Sequence, residues 1–219
     1  MILALLPGDA MRRLFAIGLV TVLAAPAAAQ ELERPETWKM RFDMAEMSEA
    51  DLEMFVAMPP GWHVTSGPAG IYWDPSNTIS GDFRAEMEVF LFDPEGRREA
   101  FGIFVGGRDL EREGQRYTYF LLRDGGQFLI KRRIGSDTPT IRGWTSHNAI
   151  KGFADRGQDA SVKNVLAVEA RGETVRFYVN DTEVARVPRS DLDLDGVFGF
   201  RVNHALNLHI SRLEATSGR

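Results

Sequence analysis

The chain has no cysteine. That excludes disulfides, thiolate metal sites and cysteine nucleophiles together, so stability has to come from a packed core. Neither charge sign dominates: 26 Lys and Arg stand against 31 Asp and Glu, for a net charge of −5. No basic excess points to nucleic acid or to an anionic membrane surface. The longest apolar run, Leu14 to Ala25, is too short to span a bilayer. Gly-rich phosphate loops, G-x-S-x-G and H-E-x-x-H are all missing. Past residue 60 no stretch keeps a helical period.

What is present begins with a processing signal. Arg12 and Arg13 form a positive region, Leu14 to Ala25 an apolar one, and Ala27-Ala28-Ala29 an A-x-A cleavage site. The expectation is that residues 1–29 are removed, that Gln30 becomes the N-terminus, and that the protein is periplasmic or secreted. Met11, just before the arginines, is an alternative start. No cysteine follows the apolar region, so no lipid anchor is expected. Residues 30–53 are acidic and are expected to pack on the main domain through Trp38 and Phe42. Ser48, with Asp51 three residues on, predicts a capped short helix.

From residue 54 to 219 the pattern is that of one all-β domain. Phe83, Ala85, Met87, Val89 and Leu91 alternate with Arg84, Glu86 and Glu88, which is a half-buried strand. AFGIFVG at 100–106 reads as a fully buried strand. Tyr117–Arg123 and Phe128–Arg133 predict a hairpin closed by Asp124-Gly125-Gly126. Asp74-Pro75-Ser76-Asn77 predicts a turn. Residues 135–163 read as a long irregular loop, a length that is often functional. Asn164 to Ala215 reads as five short strands, with Asn180-Asp181 as a type I′ turn. Regular strands with turns between them predict an antiparallel β-sandwich.

On N-x-L-x-V-x-A-x-G-x-x-V-x-F-Y-V-N-D followed by D-G-x-x-G-F-R-V, the chain resembles the concanavalin A-like jelly rolls. GDFRAEMEV and AFGIFVGG fit the same pattern. Within that group it is most similar to laminin-G-type and 3-keto-disaccharide hydrolase-type domains. The resemblance implies a curved sheet whose concave face meets sugar; it does not name an activity.

Candidate chemistry comes from four sets of residues. Glu86 and Glu88 lie two apart on one strand face, so their side chains point the same way, and glycoside hydrolysis needs two carboxylates at a set separation. The laminarinase-type relatives carry E-x-D-x-x-E, whereas here Glu88 replaces the aspartate and Leu91 the last glutamate. Asp191, Asp193 and Asp195 precede Gly196 like the opening of a calcium loop, but Val202 stands where its closing glutamate belongs. Calcium is thus a candidate cofactor on that motif alone. His204, at a strand end that would line the rim of a jelly roll, is the histidine suited to proton transfer, with Asn203 beside it. Arg123, Lys131, Trp144, Tyr178 and Arg201 are candidates for stacking on sugar rings and pairing with hydroxyls or carboxylates.

Three functions stay open on these grounds: a non-catalytic glycan-binding module, a 3-keto-glycoside hydrolase or lyase using Glu86, Glu88 and His204, and a cell-envelope module binding protein through its rim. Tyr178, Arg201 and His204 are expected to meet Glu86 and Glu88, and the first two functions gain if Glu86, Glu88, Arg123, Tyr178 and His204 surround one concave pocket.

Overall fold

The computed structural model describes residues 32–218. The expected leader lies outside these residues. Fourteen strands and three single 3-10 turns make up the described structure. The strands are β1 Lys39–Phe42, β2 Met54–Ala57, β3 Trp62–Thr65, β4 Gly70–Ile79, β5 Phe83–Leu91, β6 Ala100–Arg108 and β7 Arg116–Arg123. They continue as β8 Gln127–Ile134, β9 Thr140–Ser146, β10 Val162–Arg171, β11 Thr174–Val179, β12 Thr182–Pro188, β13 Gly196–Val202 and β14 Asn207–Ser217. They form two seven-stranded sheets. A front sheet has the order β1-β4-β13-β6-β7-β8-β9, and a back sheet the order β12-β11-β10-β5-β14-β3-β2. Every pairing is antiparallel. Among the described residues no helix is long and apolar enough to cross a membrane.

The two-residue period decides which side chains lie between the sheets. Phe83, Ala85, Met87, Val89 and Leu91 of β5 are buried and join the main core, and the residues between them are half-buried. Leu166 and Val168 of β10 and Phe177 of β11 lie on the same side. The front sheet supplies Tyr72, Phe101, Ile103, Phe120, Leu122, Phe128, Phe200 and Val202. Each such side chain contributes roughly 1.5–3 kcal/mol on burial, which is how this chain is stable without a disulfide. Trp38 inserts against Phe55, Trp62 and Phe200 at ring separations of 5.6, 4.5 and 5.4 Å. The segment that follows it pairs along β4 as β1, an edge strand of the front sheet. Ser48 caps the 3-10 turn Glu49–Asp51, and Asp51 returns the bond to the Ser48 backbone N–H.

Turn chemistry fits where the local sequence demands it. Asn180 and Asp181 both have positive φ, 49° and 63°, and join β11 to β12. Asn180 is also a hub. Its amide donates to Ala149 O at 2.7 Å and to Asn164 Oδ1 at 3.0 Å, and its Oδ1 accepts from Val165 N at 2.9 Å.

Two expectations are corrected. Residues 135–163 are not a plain loop: they hold β9 and the turn Phe153–Arg156. Asp74 to Asn77 do not reverse the chain but sit within β4. Trp73 pairs with Gly199 and Thr78 with Val197, so these four residues bulge opposite Phe198 alone. Ser76 donates through both N and Oγ to Asp74 Oδ1, an Asx turn inside the strand that accommodates the extra length.

Candidate binding face of the front sheet

The front sheet carries a second apolar set on its outward side: Ile71, Trp73, Ala100, Phe104, Tyr117, Tyr119, Leu121 and Leu129. Part of it is covered by the β6–β7 loop, whose Leu110 joins the cluster. Arg41 holds that loop by donating to Leu110 O at 3.2 Å and Arg112 O at 2.6 Å.

The register sets out the remainder in rows. One row reads Arg201, Gly102, Leu121, Leu129 across β13, β6, β7 and β8. The neighbouring row on the same face reads Ala100, Arg123, Gln127, Ser146. Asn203 extends it, its backbone N–H donating to Ala100 O at 2.8 Å. The result is a buried apolar stripe, Leu121 and Leu129 being 2% and 8% exposed, with Arg201 at one end and a polar row alongside. Only glycine fits at position 102, where a Cβ would lie 2.1 Å from Phe120 O of the neighbouring strand.

Arg201 is buried at 8% exposure. It forms a two-point ion pair with Asp43, Nη1 to Oδ1 at 2.9 Å and Nη2 to Oδ2. Nη1 also donates to Tyr117 Oη at 3.4 Å, and the guanidinium lies 5.5 Å from the centre of the Tyr119 ring. Burial would raise the Asp43 carboxyl, but the hydrogen bond and charge of Arg201, with Arg133 and His204 adding, hold it below the usual carboxylate range. Burial pushes the Tyr119 hydroxyl up to about 12, so it stays a protonated donor at neutral pH. Arg201 Nε and Asn203 Oδ1 are buried with no protein partner. Such groups are costly unless something satisfies them.

At the far end Trp144 stacks on Arg123, whose guanidinium carbon is 4.0 Å from the ring centre. Arg123 donates to Gln127 Oε1 through Nε at 2.9 Å and Nη2 at 2.5 Å, and Gln127 donates to Ser146 Oγ. Trp144 is a large apolar side chain left 36% exposed. Lys131, paired with Tyr119, reaches Thr138 Oγ1 at 3.4 Å.

The expected meeting of Glu86 and Glu88 with Arg201 and His204 does not occur, because β5 belongs to the back sheet and β13 to the front. On the outward side of the back sheet, Arg84, Glu169 and Arg176 stand in one row, where their charges alternate. Glu169 pairs with both arginines, and Glu86 pairs with Arg84 and Arg212. Tyr178 packs under Arg84 at 4.9 Å in the same network. Glu88 accepts from Ser211 Oγ at 2.8 Å and pairs with Lys163 at 3.2 Å. Burial raises the Glu88 carboxyl, yet these contacts bring it below its ordinary value, the opposite of what a general acid needs. It borders a cleft of about 490 Å³ with His63, Phe90 and His209.

His204 sits past the end of β13, its Nδ1 3.6 Å from Glu99. The three aspartates diverge, because Leu192 and Leu194 between them pack into the core. Asp193 pairs with Arg132 at 2.7 Å, Asp195 accepts from Gly81 N, and Asp191 from Ser190 Oγ. Among the described residues no group of three or more His, Asp or Glu is placed to hold a metal.

Of the candidates, then, Arg123, Lys131, Trp144, Arg201 and Asn203 share the front face, while Glu86, Glu88 and Tyr178 share the back one. Asp43 and Gln127 had no local signal. Their roles depend on a partner 158 residues away for Asp43 and on cross-strand register for Gln127.

No protein family matches the chain in sequence, and no curated protein does. Solved structures do match in fold. A carbohydrate-binding module, CBM66 from Bacillus subtilis, aligns with a TM-score of 0.60 at 15% identity, over 83% of this chain and 96% of that one. The chain folds as a concanavalin A-like jelly roll. A Bacteroides ovatus GH16 protein from a mixed-linkage glucan locus, in complex with its G4G4G3G product, matches this jelly roll at 0.58 and 8% identity, over 84% and 97% of the two chains. A Bacillus subtilis protein of unknown function with a galectin-like fold matches at 0.52 and 10%, over 82% and 89%.

Proposed function

We propose that this jelly roll is an exported, non-catalytic carbohydrate-binding module whose ligand lies across the outward face of the front sheet. One observation carries the reading: on a single face an exposed tryptophan, Trp144, lies beside arginine, amide and hydroxyl groups set in register, Arg123, Gln127 and Ser146, over a buried apolar floor. Sugars need both kinds of surface, since their C–H faces stack on aromatics while their hydroxyls require donors and acceptors. The carbohydrate-binding module and the glucan-complexed protein among the structural neighbours support this reading. Export rests on the leader pattern at residues 12–29.

Proton-transfer chemistry at Glu86 and Glu88 has less support. Retaining and inverting glycosidases need two carboxyls whose environments push their pKa values apart. Here Glu86 is tied to Arg84 and Arg212, and Glu88 to Lys163 and Ser211.

A glycan array, followed by affinity measurement on any hit, tests the proposal. Trp144→Ala is expected to weaken binding about tenfold or more, on the scale of an interface hot spot. Incubating each hit with wild type and Glu88→Gln separates module from enzyme: turnover that Glu88→Gln abolishes would establish the hydrolase. A protein that binds no glycan at all would sink both readings.

A further inference from the structure

Charges on the two outward faces are handled differently. On the back sheet, Arg84, Arg176, Arg186, Arg212 and Lys163 each pair with a glutamate. On the front face, Arg123, Lys131 and Arg133 have no carboxylate within 4.0 Å among the described residues, and Arg98, which reaches the same edge, has none either. Arg98 Nη2 donates to Gln127 Oε1 at 3.0 Å, the very oxygen that takes both bonds from Arg123. Two guanidinium ions therefore converge on one neutral amide oxygen. The carboxylates nearest in sequence are engaged elsewhere: Glu99 faces His204 Nδ1, and Asp124 accepts from Phe153 N at 2.7 Å. Arg123 is held below the ordinary guanidinium range by burial and by the charge of Arg98.

Like charges brought together without a counter-ion cost free energy, and an anion between them recovers it. Guanidinium groups suit carboxylate and sulfate because their donors match two oxygens at once. Trp144, stacked on Arg123 at 4.0 Å, adds the surface a sugar ring needs beside its charged substituent. The cations continue to Lys131 and Arg133 on the same face of β8, six residues from Gln127, which spans about 20 Å of strand and so exceeds one pyranose ring.

We propose that the module selects acidic glycans, chains bearing uronate carboxylates or sulfate esters, with one acid group held between Arg98 and Arg123 beside Trp144. This inference rests on the carbohydrate reading above, and the experiment keeps the two apart.

Wild-type protein is offered neutral, uronate-containing and sulfated oligosaccharides. Each uronate hit is measured again after carbodiimide activation and borohydride reduction of its carboxyl groups to alcohols. Acidic glycans are expected to dominate the hits, and reduction to cost about tenfold in affinity, the scale of one charge-assisted hydrogen-bonded contact. Affinity is also expected to fall as salt rises, a readout that requires no variant. The double variant Arg98→Gln, Arg123→Gln is expected to lose the preference for the carboxylate while keeping the wild-type circular dichroism. Both residues are solvent-accessible, and Arg123→Lys serves as the milder replacement. Hits confined to neutral glycans would overturn this inference and leave the carbohydrate reading standing. Acidic hits that the double variant binds equally well would overturn the assigned position. Polyglutamate bound as tightly as the acidic glycans would show a plain cation patch and overturn the selectivity. No bound glycan of any kind would overturn the underlying reading as well.

Discussion

Replacing Asp43 by asparagine removes one charge and little volume, and the structure makes its consequence calculable. Arg201 is buried, with only 9% of its side chain accessible, and Asp43 supplies both of its ionic contacts. In Asp43→Asn the guanidinium keeps the Tyr117 hydroxyl at 3.4 Å and the face of Tyr119, neither of which carries charge. Breaking a buried pair from one side costs about 3–5 kcal/mol, because the surviving charge is left uncompensated. Asp43 is partly open to water, at 31% side-chain exposure, which places the expectation near the lower figure of about 3 kcal/mol. For a domain of this size that is roughly a 6–12 °C fall in Tm. Urea unfolding followed by the fluorescence of buried Trp38 and Trp73 measures it directly. Replacing both partners, Asp43→Asn with Arg201→Met, is expected to recover most of the loss, since an apolar side chain of similar length leaves no charge to desolvate. A cost below about 1 kcal/mol for the single variant, the level of an exposed pair, would show that Arg201 does not depend on Asp43 for its charge compensation.

The same pair predicts a pH dependence. Since Asp43 is held below its unfolded value, its contribution is full above the ordinary carboxylate range and is lost as pH falls through the lowered value. The stability gap between wild type and Asp43→Asn should therefore close on acidification, as urea melts taken at a series of pH values would show; a gap that widens would contradict it. Asn180→Ala removes three hydrogen bonds and places alanine at φ 49°, so a loss of about 2–4 kcal/mol is expected in the same assay. Trp38→Ala empties a site walled by three aromatic rings, and a loss of about 3–5 kcal/mol is expected if the N-terminal segment is integral to the sandwich.

Much of this architecture is legible in local sequence. The alternation of β5, the three-residue turn after β7 and the Asn180-Asp181 turn all rest on contacts within a few residues, and they stand where those patterns put them. β9 is not legible in the sequence, for a physical reason. It is an edge strand with no residue fully buried, so Thr140 to Ser146 carry no apolar alternation. Spacing correctly put Glu86 and Glu88 on one side of β5, but spacing along a strand says nothing of which sheet that strand joins. Pairing with β10 and β14 made it a back-sheet strand, on the opposite sheet from Arg201. The candidate binding rows draw on β13, β6, β7, β8 and β9 and on a segment near residue 43, and their partners meet only through long-range register.

The central claim is that ligand lies on the outward face of the front sheet. Amide chemical-shift mapping during titration with an array-identified oligosaccharide tests it most directly. Perturbations are expected along β7, β8, β9 and the end of β13, around Arg123, Gln127, Trp144 and Asn203, with β5, β10 and β11 unmoved. Shifts centred instead on Glu86, Glu88 and Tyr178 would contradict it.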